Sequence, residues 1–365
     1  MTAFQEYFRK IPLLLSALAV LAAVFLPACD DEVEVNAEEK DILVVYGVLN
    51  PQQPTQYIRV AKAFLTDGDA IQFAQQNDLS VRNANVVLTD GEREIVFQPV
   101  DTTTEEGEFA QEYTVFKSDE PIEANVTYYL TITLPEDEGG FAVRAHTTVP
   151  DTPSVYLPRD SSLIFGNQYA YERVAFESRL EIEWQTDRRA SFENVDDPVP
   201  GRAYEVRLNL NYRALEAPGD TVPMNATYGP FTGIQDDVQS GDCNSSDGRV
   251  CYRIQEGAFL AAMQTKLPPD KKLYYDDSFF GQSLSIEVTA VDTFLYDYTR
   301  VNDPAFSDFT TVRPEYTNIE AIGEGDAVGI FGAINVDKQW VHMSACSEAV
   351  LNFNDTQRPP DCNYE

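Results

Sequence analysis

Thr127-Tyr128-Tyr129-Leu130-Thr131-Ile132-Thr133-Leu134 is the clearest strand in the sequence. Tyr128, Leu130, Ile132 and Leu134 fall on one face, and Tyr129, Thr131 and Thr133 on the other, because side chains alternate along an extended chain. An apolar face backed by a more polar one marks a half-buried antiparallel strand. Six further runs share this character: Ile42–Val48, Tyr57–Ala63, Asn85–Thr89, Glu94–Gln98, Glu112–Phe116 and Ala142–Val149. Asp90-Gly91 places a hairpin turn between two of them, and Gly139-Gly140 separates the last two. Seven short strands in about 110 residues predict an immunoglobulin-like β-sandwich over 41–150. Phe64–Leu79 is its longest insertion, with a short helix expected over Ala70–Gln76.

Val149-Pro150-Asp151-Thr152-Pro153 reads as a stiff linker that buries little, since both prolines disfavour helix. A second β-rich, sandwich-like domain with short helices is expected over 151–365, so the fold class is mainly β. Leu180, Ile182 and Trp184 alternate with charged neighbours, and Tyr204, Val206, Leu208, Leu210 and Tyr212 alternate more clearly. Leu284, Ile286, Val288 and Ala290 repeat the pattern. Asp187–Arg202 and Ala214–Gly248 read as long polar interruptions. Two helices are expected, each packing an apolar stripe onto a sheet. Glu256–Lys266 carries Phe259, Leu260 and Met263, and Thr293–Asn302 carries Phe294, Tyr298 and Val301.

Ahead of the strands, Arg9 and Lys10 precede an apolar run from Ile11 to Phe25, followed by Leu26-Pro27-Ala28-Cys29. The run is short of the roughly 20 residues a spanning helix needs. Basic residues, an apolar stretch and a small residue before the cut form signal-peptide anatomy. The cysteine makes the stretch similar to the lipobox of bacterial lipoproteins. That resemblance implies a signal peptide over 1–28 and a lipid on the Cys29 thiol. Residues 29–40 then form an acidic tether. Its Asp30, Asp31, Glu32 and Glu34 resemble the surface-export signal of Bacteroidota lipoproteins, which implies an outer-membrane protein facing the cell exterior.

The chain has 26 Lys+Arg against 60 Asp+Glu, a net charge of −34. Such a field opposes general binding to nucleic acid or anionic lipid. An apolar fraction of 43% argues for a packed core rather than disorder. Of the five cysteines, Cys29 is assigned to lipid. The other four admit three pairings. The local ones, Cys243–Cys251 and Cys346–Cys362, close the shortest loops and are favoured on entropy. They would make a disulfide-bonded loop and a tied C-terminal segment in an oxidising compartment.

No catalytic constellation emerges, so the chain reads as a non-enzyme. There is no Gly-x-Ser-x-Gly, and the two histidines, His146 and His342, leave little room for a triad. Neither lies at ligand spacing from the cysteines, so no zinc site or other cofactor is expected. Gly323-x-Gly325-x-x-x-Gly329 carries Glu324 and Asp326, which would repel phosphate, and reads as a turn. Asp236, Asp237, Asp242 and Asp247 are oxygen donors without EF-hand order, and read as a solvated loop. Tyr274-Tyr275 and Phe279-Phe280 flank Asp276-Asp277, a composition suited to sugars but more often found in a core and turn.

Four stretches together resemble the Bacteroidota outer-membrane lipoproteins catalogued as domain of unknown function 4249. They are Ile42–Leu49, Ala84–Gly91, Ser285–Arg300 with its Leu295-Tyr296-Asp297-Tyr298, and Asn318-Ile319-Glu320 followed by Gly329-Ile330-Phe331-Gly332-Ala333. Ala321–Ala327 reads as an insertion in the fourth. The resemblance implies a surface lipoprotein acting as an accessory or ligand-binding module of a TonB-dependent outer-membrane transporter. It implies no reaction. The alternatives are a carboxylate-based surface enzyme such as a glycoside hydrolase, and a structural envelope protein.

Overall fold

Alternation in the first part of the chain builds seven strands: β1 (Ile42–Leu49), β2 (Gln56–Lys62), β3 (Asn85–Thr89), β4 (Glu94–Thr103), β5 (Glu112–Ser118), β6 (Thr127–Thr133) and β7 (Ala142–Thr148). They pair as β1-β2-β5 on one side and β4-β3-β6-β7 on the other. β4 belongs to both sides. Glu94–Phe97 pairs with β3, and Gln98–Thr103 pairs with β5. Leu43, Val45, Ile58, Val60 and Phe116 from one side meet Val86, Leu88, Phe97, Tyr128, Leu130 and Ile132 from the other in a first hydrophobic core. The Tyr128 hydroxyl accepts a hydrogen bond from the Glu123 backbone N–H at 3.0 Å. A tyrosine early in the sixth strand that bonds back to the preceding backbone is a recurrent corner of immunoglobulin-like sandwiches.

The computed structural model describes residues 42–63, 79–103, 112–136, 140–159, 163–164, 179–185, 203–217, 220–235, 250–275, 284–302, 316–323 and 325–353. The expected helix over Ala70–Gln76 and the polar stretch Asp187–Arg202 lie outside them. The mainly β class holds, with a 14-stranded mixed sheet and a three-stranded sheet among the described residues. Asp41–Glu365 form one compact unit.

Within that unit a second hydrophobic core gathers residues from 164 onward. Its strands are β8 (Ser154–Leu157), β9 (Leu163–Ile164), β10 (Arg179–Gln185), β11 (Ala203–Ala217), β12 (Asp220–Gln235), β13 (Val250–Gln255), β14 (Leu273–Tyr275) and β15 (Leu284–Val291). β16 (Glu320–Ile322) and β17 (Asp326–Met343) follow. The small sheet β13-β10-β8 supplies Leu180, Ile182 and Trp184, which face Tyr204, Val206, Leu208, Ile286 and Val288 of the large one. Helix α1 (Glu256–Lys266) buries Phe259, Leu260 and Met263, the stripe expected of it. Pro268 and Pro269 stand just beyond its end, where helix cannot continue. Helices α2 (Thr293–Asn302) and α3 (Ala345–Val350) complete the described elements.

The two cores share β17. Its first eight residues pair in parallel with β1, from Ile42↔Asp326 to Leu49↔Ala333. Ile334–Val341 then pair with β15, from Val291↔Ile334 to Leu284↔Val341, and His342 and Met343 pair with β9. Ile319, Phe331 and Ala333 pack in the first core although they come late in the chain. Of Ala321–Ala327, read as an insertion, Ala321 and Ile322 belong to β16, which pairs with β7, and Asp326 and Ala327 begin β17.

Two expectations are corrected. Val149–Pro153 is not a bare linker: Val149, Pro150 and Pro153 are buried. The Asn335 amide donates to the Pro150 carbonyl at 3.0 Å and to the Thr152 hydroxyl at 2.9 Å, which pins the segment against β17. Ala214–Gly248 is not one polar interruption either. β11 continues to Ala217, and β12 forms a 16-residue strand beside it, at the edge of the large sheet among the described residues. Val222, Met224, Ala226 and Tyr228 alternate there, but Pro223 and Gly229-Pro230 hide the pattern. Proline is tolerated because an edge strand has an unpaired side.

Candidate functional site: a buried carboxylate beneath an aromatic strip

Three of the four stretches that carry the family resemblance converge where α2 meets β17 and β1. Asp292 lies at the centre, directly before α2, and is 2% exposed. One carboxylate oxygen accepts the Leu295 backbone N–H at 2.6 Å, which caps the helix start. The other accepts the Ala333 N–H of β17 at 2.6 Å and the Thr147 hydroxyl of β7. The Asp292 backbone N–H donates to the Ala333 carbonyl at 3.0 Å. Burial pushes the Asp292 carboxyl up to about 6, against bonds from Leu295, Thr147, Ala333 and Phe294 that favour the charged form.

The close approach of α2 requires Gly332. A Cβ there would stand 2.8 Å from the Leu295 Cβ and 3.3 Å from an Asp292 carboxylate oxygen. The approach of β17 to β1 requires Gly329, whose φ is +122° and whose Cβ would lie 1.9 Å from the Val45 carbonyl oxygen. Asn318 completes the seam. Its side-chain amide donates to the Phe331 carbonyl at 2.6 Å, and its side-chain oxygen accepts the Phe331 N–H at 2.9 Å. Gly323, at φ +106°, turns the chain between β16 and β17.

Above this seam lies a strip of rings. Tyr129 of β6 and His146 of β7 are cross-strand neighbours with ring centroids 6.1 Å apart. His146 meets Phe294 of α2 edge-on at 5.1 Å. Tyr298 stands four residues further along α2, on the same helix face. Its hydroxyl is hydrogen-bonded to that of Tyr46 on β1, and burial with this bond pushes its pKa up to about 12. Tyr316 is likewise pushed up to about 12, by burial and by the negative charges of Asp297 and Asp292. Tyr129 and Tyr46, the two ends of the strip, are 51% and 43% exposed. The stripe expected to bury itself, Phe294, Tyr298 and Val301, is only half-buried. Leu295 is instead the α2 residue whose Cβ abuts Gly332. An aromatic surface with hydroxyl groups at its ends can bury apolar area and still hydrogen-bond a ligand.

Other expected site residues take no part in the contacts described so far or fall outside the described residues. Cys29, Asp30, Asp31, Glu32, Glu34, Cys243 and Cys362 fall outside the described residues, as do Asp236, Asp237, Asp242, Asp247, Asp276, Asp277, Phe279 and Phe280. Cys251 of β13 and Cys346 of α3 are each disulfide-bonded. Tyr275 packs against Phe353 at 5.0 Å, part of the margin of the second core. His342 lies on β17 opposite Leu163. The described residues contain no group of three or more His, Cys, Asp or Glu able to hold a metal ion.

The residue reading of the sequence passed over one further polar group. Ser344 caps α3 by accepting the Ser347 N–H at 3.1 Å, and the Ser347 hydroxyl donates to Glu256 of α1 at 2.7 Å. All three residues are buried, and together they tie the start of α1 to the start of α3.

No curated protein matches the chain. A solved structure, the C-terminal globular domain of an oligosaccharyltransferase from Pyrococcus abyssi, is 10% identical over 80% of this chain. This chain spans 44% of that one, and the TM-score of 0.20 carries no argument about fold or activity. Residues 30–340 match the family described as Domain of unknown function (DUF4249), and the chain belongs to that family.

Proposed function

We propose that this chain is a surface-exposed outer-membrane lipoprotein of the Bacteroidota type, acting as an accessory or ligand-binding module of a TonB-dependent transporter system. The lipobox around Cys29 and the acidic tether after it support the anchor. The observation that carries the binding role is the strip Tyr129–His146–Phe294 with Tyr298–Tyr46, whose ends are exposed rings on a rigid seam. Binding surfaces favour tyrosine because it brings large contact area and a polar tip at low entropic cost.

Co-purification from native membranes tests the proposal. The full-length protein, tagged at its C-terminus and extracted in detergent, should bring down a TonB-dependent transporter. Tyr46→Ala combined with Tyr129→Ala should reduce that yield at least fivefold without changing the amount of anchored protein. Absence of any transporter from the wild-type pull-down sinks the functional reading. Equal recovery with the double variant removes the strip as the contact face.

A further inference from the structure

We infer that β1 and the first half of β17 form a shear clamp, which holds the fold closed against tension on the N-terminal tether. This rests on the reading of residues 29–40 as a tether. The chain enters the fold at Ile42, the first residue of β1. β1 and β17 run parallel over eight consecutive pairs, Ile42↔Asp326 to Leu49↔Ala333. β17 then leaves β1 behind and runs on along β15 in the second core. A pull on the tether therefore draws β1 toward its N-terminal end. A restraint on the second core, or on the chain after Met343, draws β17 toward its C-terminal end. On parallel strands these pulls are opposite and lie along one axis.

Under that load the evenly spaced ladder bonds of a parallel pair are strained together rather than in turn. A peeling load would break them one at a time from an end. Packing reinforces the ladder. Leu43, Val45 and Leu49 of β1 are at most 1% exposed, and Phe331 and Ala333 of β17 are fully buried beside them. A Cβ built on Gly47 would lie 3.1 Å from the Phe331 ring and 3.2 Å from Ile58, so sliding β1 must drive side chains past one another. The other side of β1 is held by β2, from Leu43↔Lys62 to Gly47↔Ile58. Resistance to forced unfolding is a matter of rate, and such a barrier raises it without any change in equilibrium stability.

Single-molecule pulling of the mature chain decides this. Handles at residue 30 and at the C-terminus load β1 against β17 in shear. Handles at residue 30 and at a clickable residue in position 324, just ahead of β17, load the same ladder in peeling mode. Both measurements use the same folded protein. The force that detaches β1 should be at least twofold higher in the first geometry. Equal forces, or a higher force in the second, overturn the clamp. Lipid labelling of Cys29 is a separate readout: a negative result there removes the tether and leaves the pulling comparison intact.

Discussion

Thr147 and Asp292, 145 positions apart, are joined by a hydrogen bond from the threonine hydroxyl to the buried carboxylate. Thr147 lies on the last strand of the first sandwich, and Asp292 caps the helix that follows the last β15 residue of the second core. A charge is costly to bury unless every lone pair facing the protein is met. Here donors come from α2, β7 and β17, so one side chain fastens three elements.

That arrangement predicts a pH dependence with a definite sign. The Asp292 carboxyl is raised to about 6 in the fold from 3.8. Between those values the native state holds the proton and the unfolded chain has lost it. Stability from this group is therefore greatest below pH 4 and is lost as pH rises through 6. About two pKa units correspond to roughly 3 kcal/mol at most. Denaturant titrations of wild type and Asp292→Asn isolate the effect from the other acids. Wild type should gain on the variant by up to that amount between pH 7.5 and pH 4. A difference that is constant with pH would remove Asp292 as the source.

The glycines of the seam should not tolerate a methyl group. Gly332→Ala forces α2 away from β17 and should cost about 1–3 kcal/mol, the range for overpacking a close contact. Gly329→Ala is worse, since its Cβ would collide with the Val45 backbone and its φ disfavours any side chain. It should cost more than about 4 kcal/mol, at the rare end for single substitutions. Equilibrium unfolding ranks the two, and Gly257→Ala, which meets nothing within 4 Å, is the control.

Non-reducing peptide mapping of exported protein should return Cys243–Cys251 and Cys346–Cys362. Cys251 and Cys346 are already seen in the disulfide form. In the chain-entropy picture a loop of about 15 residues contributes roughly 3 kcal/mol. Replacing Cys346 and Cys362 with serine should open the C-terminal segment to proteases while the first sandwich stays intact. A crossed link from Cys243 to Cys362 or from Cys251 to Cys346, or four free thiols, refutes the local pairing.

Cys29→Ala should abolish lipid labelling and leave an uncleaved or soluble precursor, because its thiol is the acylation point in the function proposed above. Stable attachment takes more than one acyl chain. Replacing Asp30, Asp31, Glu32 and Glu34 with alanine should keep the anchored protein out of reach of protease added to whole cells. Equal digestion of variant and wild type would reduce the acidic run to a spacer.

Strand positions in the first sandwich were legible because period-2 alternation is a local property. Thr127–Leu134 exposes its pattern to anyone reading eight residues, and the structure places Tyr128, Leu130 and Ile132 in the core. The spans of α1 and α2 were legible for the same reason, at a different period. β12 was not, because an edge strand tolerates the prolines that elsewhere argue against a strand.

The sequence by itself determined the β class, the seven strands, the two helices, the acidic surface and the family. Each follows from composition, from spacing within a few residues, or from ordered short stretches. Only the tertiary structure decided that β17 belongs to both cores, that Asn318 pairs with the Phe331 backbone, and that Asp292 receives Thr147. It also decided that Tyr129, His146, Phe294, Tyr298 and Tyr46 share one surface. Those relationships join residues up to hundreds of positions apart. A pairing at that range depends on which edge strand closes on which, and no local period or propensity encodes that choice.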